Sequence, residues 1–183
     1  MRFFKSNRAA GSVATLAVAA LAILPASAQA GSGGMGPGST DPAPTVPGGK
    51  AKLVSGIAYA PASAPQAVKD IIAAANKIRN KPYIYGGGHG SFNDNGYDCS
   101  GSVSYALRGG RFVAYPLAST GFMNWRSSGK GRWISVYANS GHAYMIVAGL
   151  RFDTSMTPGN GPGWSKSLRS TPGSFTVRHP AGF

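Results

Sequence analysis

The stretch GYDCSGSVSYAL, residues 96–107, decides how the rest of the chain is read. Asp98 is a good helix N-cap, and Val103, Ala106 and Leu107 recur behind it at helical spacing. A buried helix is therefore expected to start at Cys99, the single cysteine of the 183 residues. In a first helical turn the sulfur meets backbone N–H groups without intrahelical partners and the positive end of the helix dipole. Both stabilise a thiolate, the form that attacks a carbonyl carbon. A free cysteine is also commonly a small buried hydrophobe, and helix position alone leaves both readings open.

The N-terminus makes the lone thiol unusual. Arg2, Lys5 and Arg8 form a basic start, Val13 to Leu24 a short apolar run, and Ala26-Ser27-Ala28 or Ala28-Gln29-Ala30 a small-residue cleavage site. That order reads as a secretory signal peptide over residues 1–30. A spanning helix needs about 20 apolar residues, more than this run supplies. In an oxidising compartment an unpaired thiol points to a reactive or intermolecular role.

Residues 31–50, GSGGMGPGSTDPAPTVPGGK, offer almost nothing to bury and read as a linker, leaving 51–183 for one globular domain. The chain holds 18 Lys+Arg against 5 Asp+Glu, a net charge of +13, and without the three basic residues of the leader it is +10. Such a field favours polyanions. Export and the lack of any zinc-finger or RNA-binding aromatic motif argue against nucleic acid, so an anionic cell-wall polymer is the expected partner. Solubility alone is the competing account of the charge.

Within the domain, SAPQAVKDIIAAANKIRN (63–80) has Val68, Ile71, Ile72, Ala75 and Ile78 at helical spacing, with Ser63 as a candidate cap and Pro65 suited to the first turn. It reads as a core-packing helix. KPYIYGGGHGSFNDNGYD (81–98) is a turn-rich loop. A cysteine nucleophile needs a base, and three histidines are available. His89 lies in the glycine loop and His179 near the C-terminus. His142 opens HAYMIVAG, whose apolar run reads as a strand after the turn NSG, and a strand end is a rigid platform. His142 is preferred. That strand turns at Gly149 and returns as LRFDTS, so Asp153 or Thr154 would accept the other ring N–H and orient the base. Alternation sends these two side chains to opposite faces, so one of them is expected to do so, and Asp153 is preferred because it would also stabilise an imidazolium.

Three segments taken together carry a family resemblance. Tyr83-Ile84-Tyr85-Gly86-Gly87, then Asp98-Cys99-Ser100-Gly101-Ser102-Val103, then Gly141-His142 opening a strand resemble the NlpC-type family of bacterial cell-wall cysteine peptidases, over about residues 64–155. The resemblance implies an α+β, papain-like fold, with the cysteine-bearing helix packed on a small antiparallel sheet that carries the histidine. It implies Cys99 as nucleophile, His142 as base, Tyr83 as a helper of the oxyanion, and Asp98 and Ser100 in binding the free amine of a stem peptide. The implied reaction is hydrolysis of a peptidoglycan stem peptide, between D-glutamate and a diamino acid, by a secreted or wall-associated monomer without cofactor or metal. A wall-binding domain that keeps the fold without turnover is the alternative.

Many relatives place a second histidine where this chain offers Asp153 and Thr154. Tyr115, Phe122 and Trp125 lie in the long segment 108–133 and would either wall the groove or cap the core. Residues 156–175 show no periodicity, FTVRHPAGF (175–183) could form a last short strand, and Trp164 and His179 stay unassigned. Arg126, Lys130, Arg132, Lys166 and Arg169 read as a solvated basic face, with contact to anionic polymers as the alternative. One cysteine and scattered histidines do not make a zinc site, GGGHGSF lacks the Lys-Ser/Thr of a phosphate loop, and a chain without glutamate is a poor paired-carboxylate glycosidase.

Overall fold

Two short sequence signals set the framework on which the site is built. The first is the apolar strand pair around Ala148-Gly149, and the second is the capped helix behind Asp98. A computed structural model of the chain describes residues 43–155, 161–170 and 174–183. The leader read over residues 1–30 and the linker as far as 42 lie outside the described residues.

Helix α1 (Gln66–Ile78) buries Val68, Ile71, Ile72, Ala74, Ala75 and Ile78, the face that the spacing marks out. Its cap differs from the expected one. The N-cap is Pro65 with no side-chain hydrogen bond, and the Ser63 hydroxyl donates instead to the Gly48 carbonyl at 2.9 Å. Pro65 begins the helix at no loss, since a first-turn N–H has no intrahelical acceptor. Helix α2 (Cys99–Gly109) packs against α1 and buries Val103, Ala106 and Leu107. The short helix α3 (Ser119–Met123) follows.

Among the described residues, three strands form a small sheet: β1 (Thr45–Val46), β2 (Lys52–Val54) and β3 (Ile57–Pro61), in the order β1-β3-β2. Residues 43–50, read as the end of a linker, are thus tied into the domain. Thr45 and Val46 pair in parallel with Ala60 and Pro61, and the Ala62 N–H donates to the Val46 carbonyl at 2.8 Å. Backbone pairing with a strand distant in sequence needs no apolar side chains, so composition alone did not reveal it.

The main sheet is antiparallel throughout and runs β4-β9-β5-β6-β7-β8. Its strands are β4 (Ser127–Ser128), β5 (Ile134–Ala138), β6 (Ala143–Val147), β7 (Leu150–Asp153), β8 (Gly163–Ser165) and β9 (Thr176–His179). β6 and β7 form a hairpin in which Val147 faces Leu150 across a two-residue turn. Both turn residues have positive φ, 46° at Ala148 and 90° at Gly149, the geometry whose twist matches that of the flanking strands.

Helix α2 packs on β6 and β7, and the core between them is built from Val103, Leu107, Phe122, Ile134, Val136, Met145 and Phe152. Each such fully buried side chain contributes about 1.5–3 kcal/mol relative to exposure. The fold is α+β, with the cysteine helix on an antiparallel sheet. Within 108–133, Phe122 and Trp125 are buried in this core, whereas Tyr115 is 68% exposed. Trp164 packs on Phe152 and its indole donates to Asn76 Oδ1 at 3.0 Å, so β8 is pinned to α1.

Candidate active site

Asp98 caps α2 by accepting from the Gly101 N–H at 2.7 Å, which leaves Cys99 as the first helical residue. The loop 81–98 lies directly over this helix start. The Gly86 N–H donates to Asp98 Oδ2 at 3.2 Å, and the Asp98 N–H donates to the Gly87 carbonyl at 3.2 Å. A side chain at position 101 would strike the Gly87 carbonyl oxygen, so the glycine is what lets loop and helix approach so closely.

His142 stands one residue ahead of β6. Its N–H and that of Gly141 donate to Asn139 Oδ1 at 2.8 and 3.0 Å, an Asx turn that fixes the entry to the strand. The hairpin register settles which side chain faces the ring. Ile146 lies opposite Arg151, and alternation along both strands carries that face to Tyr144, His142 and Asp153. Asp153 Oδ1 accepts from His142 Nε2 at 2.9 Å, while Thr154 is buried elsewhere. With Nε2 turned to the carboxylate, Nδ1 is left to face Cys99, whose side chain is hydrogen-bonded to the ring and to the Ala143 N–H.

The electrostatics follow from these contacts. Burial pushes the Cys99 thiol up, but the His142 ring and the Ala143 N–H outweigh burial and hold it below its ordinary value. Burial also works against charge on His142, yet the hydrogen bonds to Asp153 and Cys99 prevail and raise it to about 9. Asp153, fully buried, is held well below the usual carboxylate range because hydrogen bonds from His142, Arg169 and the Ser155 N–H overcome its desolvation. The direction for the pair is a thiolate beside an imidazolium.

Tyr83, 40% exposed, lies at the same place. Its hydroxyl is raised first by burial and then by the charges of Cys99 and Asp98. Asp98 and Ser100 are themselves buried, and the Ser100 hydroxyl donates to Asp98 Oδ1 at 3.2 Å. His89, passed over as a base in favour of His142, places Nε2 3.0 Å from Asp98 Oδ1 and 3.2 Å from Ser100 Oγ. His179 lies apart, with Nδ1 3.1 Å from the Gly129 carbonyl.

Arg169 is the residue whose place in the site the sequence concealed. Grouped there with a solvated face, it donates through Nε to Asp153 Oδ2 at 3.0 Å and through Nη2 to Ser155 Oγ at 2.7 Å, and Nη2 lies 3.0 Å from His142 Nε2. Its guanidinium also sits over the rings of Tyr144 and Phe175 at 5.2 and 5.8 Å. Arg126, Lys130, Arg132 and Lys166 are exposed as expected of a solvated face. Position 169 falls in an aperiodic stretch, where nothing local signals an inward side chain. Among the described residues, no group of three or more His, Cys, Asp or Glu side chains gathers to hold a metal ion.

Fold and site together define an α+β protein in which a helix-borne thiol, a strand-borne imidazole and a buried carboxylate form one hydrogen-bonded line. The chain is similar to the solved P60 domain of an antigen from M. avium subspecies paratuberculosis, at 22% identity over 62% of this chain and 94% of that one, with a TM-score of 0.47. It is also similar to the peptidoglycan hydrolase RipB from Mycobacterium tuberculosis, at 23% identity over 62% of this chain and 64% of that one, TM-score 0.49. A third is an NlpC/P60 family protein from Bacillus cereus, at 16% identity over 61% of this chain and 39% of that one, TM-score 0.45. This chain spans less than two thirds of the RipB and Bacillus cereus chains. No family model and no curated protein matches the sequence.

Proposed function

We propose that the protein is an exported cysteine peptidase of NlpC/P60 type that hydrolyses peptidoglycan stem peptides, at the bond between D-glutamate and a diamino acid. The observation that carries the reading is the Cys99 sulfur, hydrogen-bonded to His142 and to the Ala143 N–H, with Asp153 behind the imidazole. The bond assigned to it rests on the motif resemblance over residues 64–155.

In this reading the Cys99 thiolate attacks the scissile carbonyl and its oxygen becomes an oxyanion. The Cys99 N–H at the start of α2 and the Tyr83 hydroxyl are the donors proposed to receive that charge. His142, protonated on Nδ1, passes this proton to the leaving amine as the C–N bond breaks, which leaves an acyl-thioester on Cys99. A water then loses a proton to His142, attacks the thioester, and releases the acid and the thiolate. Asp153 stays ionised throughout and holds the ring in place. Asp98 and Ser100 border the amino side of the substrate, and a free ammonium reaching Asp98 Oδ1 takes the position that His89 Nε2 holds here.

Cys99→Ala against purified peptidoglycan tests the reading. Wild type should release new amine termini, and the variant should lose this activity to background while still folding. Equal release by both proteins would sink the peptidase and leave a wall-binding domain. Mass spectrometry of the released muropeptides names the bond, and masses that do not correspond to a cut after D-glutamate would overturn that part.

A further inference from the structure

We infer that Arg169 is a positioning residue that sets how readily His142 holds and gives up its proton, through a guanidinium that contacts both the imidazole and its carboxylate from beside their hydrogen bond. The inference deepens the reading of Cys99 and His142 as a working pair and rests on it. Three contacts from one side chain carry it. Nε is bonded to Asp153 Oδ2 at 3.0 Å, Nη2 is bonded to Ser155 Oγ at 2.7 Å, and Nη2 stands 3.0 Å from His142 Nε2.

The last contact has a chemical asymmetry. Arginine nitrogens only donate, so Nη2 and a protonated Nε2 present like-signed N–H groups to one another. Asp153 attracts the proton on Nε2, and Arg169 opposes it from almost the same distance. Arg169 also holds Asp153 Oδ2, which drains basicity from the carboxylate on which the imidazole relies. Both effects weaken the imidazolium. A base tied to a buried carboxylate alone would keep its proton too firmly to deliver it to a leaving amine, since acid–base efficiency is best when the pKa lies near the working pH. Rigidity comes from packing: the guanidinium lies over Tyr144 and Phe175, and Ser155 holds its outer edge.

Among the described residues, the other charged or titratable groups facing the ring are few. Cys99 comes from the start of α2, with Asp98 behind it and Tyr83 beside it. Tyr144, on β6, has its ring 6.3 Å from that of His142. From β7, Arg151 Nε lies 3.7 Å from Asp153 Oδ2. Arg169 is the cation among them within hydrogen-bond distance of the imidazole.

The test is an NMR titration of the histidine rings in the full chain, with the His142 signal assigned by its loss in His142→Gln. Arg169→Gln keeps a donor for Asp153 and removes the charge, and the His142 midpoint should rise by about one pH unit. Arg169→Lys restores a cation and should return the midpoint towards wild type. A purely structural role would lower the melting temperature and leave the midpoint where it was, and an unchanged midpoint in a folded Arg169→Gln overturns the inference. Should that variant fail to fold, the wild type decides. The Arg169 Nε resonance should move with the same midpoint as His142, and a signal indifferent to that titration is equally fatal. Peptidoglycan release by wild type is measured beside these. No release together with a shifted midpoint ends the peptidase reading and spares Arg169, whereas release with an unmoved midpoint does the opposite.

Discussion

His142 joins two partners that both favour a protonated ring, a carboxylate that accepts from one ring nitrogen and a thiol that gives up its proton to the other. Because its pKa is raised to about 9 in the folded chain, against an ordinary value of about 6.5 when unfolded, folding and ring protonation are linked. The stability this group contributes is fully present below pH 6.5 and is lost as pH climbs through about 9. Asp153, held below the usual range, contributes stability above about pH 3.9 that disappears as pH falls further. In Cys99→Ala, where no thiol titrates against the ring, melting temperature measured from pH 5 to 9.5 should therefore decline across the upper part of that range, and the decline should flatten when His142→Gln is added. Parallel curves for the two proteins would show that the linkage is absent. Cys99 and His142 were each legible from local pattern, as a capped helix start and a strand start. Asp153 could not be separated from Thr154 until the hairpin register placed Ile146 opposite Arg151. Arg169 was not legible, because an aperiodic stretch carries no mark of what its side chains will meet.

Elements are fastened to one another by few polar side chains, and Asn76 on α1 is the clearest of them. Its Nδ2 donates to the Ala58 carbonyl at 2.8 Å, and its Oδ1 accepts from the Ala58 N–H at 3.1 Å and from the Trp164 indole at 3.0 Å. One amide thus clamps β3 and β8 to the helix. Asn76→Ala strips partners from both backbone groups of buried Ala58 at once, and leaving such groups unsatisfied costs about 1–3 kcal/mol. Urea unfolding should show a lower midpoint, corresponding to a loss of unfolding free energy of that size. Gln66→Ala, which removes an exposed hydrogen bond to Asp70 on the same helix, should stay within about 0.5 kcal/mol. If the two variants unfold alike, the clamp is unimportant. The two longer helices and the β6–β7 hairpin were legible because apolar spacing and a turn residue coincide there. β1 and β8 were not. They are strands of two and three residues in Gly- and Pro-rich sequence, and what makes them strands is a distant backbone or an indole that finds Asn76.

Charge belongs to the whole molecule. Of the net +13, the part that matters for partners is the part left at the surface, and Lys50, Lys52, Lys77, Lys81, Arg108, Arg111, Arg126, Lys130, Arg132 and Lys166 are all exposed. The excess is legible in composition, whereas the division between a solvated cation and one turned inward, as at Arg169, is a property of the fold. A broad positive surface attracts a polyanion through a field that salt screens, with a Debye length of about 10 Å at 0.1 M and about 3 Å at 1 M. On isolated cell walls the protein should be retained at low ionic strength and released as salt approaches about 1 M, where that field collapses to contact range. Stripping the walls of their anionic polymers should abolish retention at low salt. Cys99→Ala should behave as wild type in both arms, because the thiol is buried and contributes nothing to the field outside. Retention that ignores both salt and polymer removal would mean that the glycan or the peptide itself holds the protein. The basic surface would then serve solubility rather than binding.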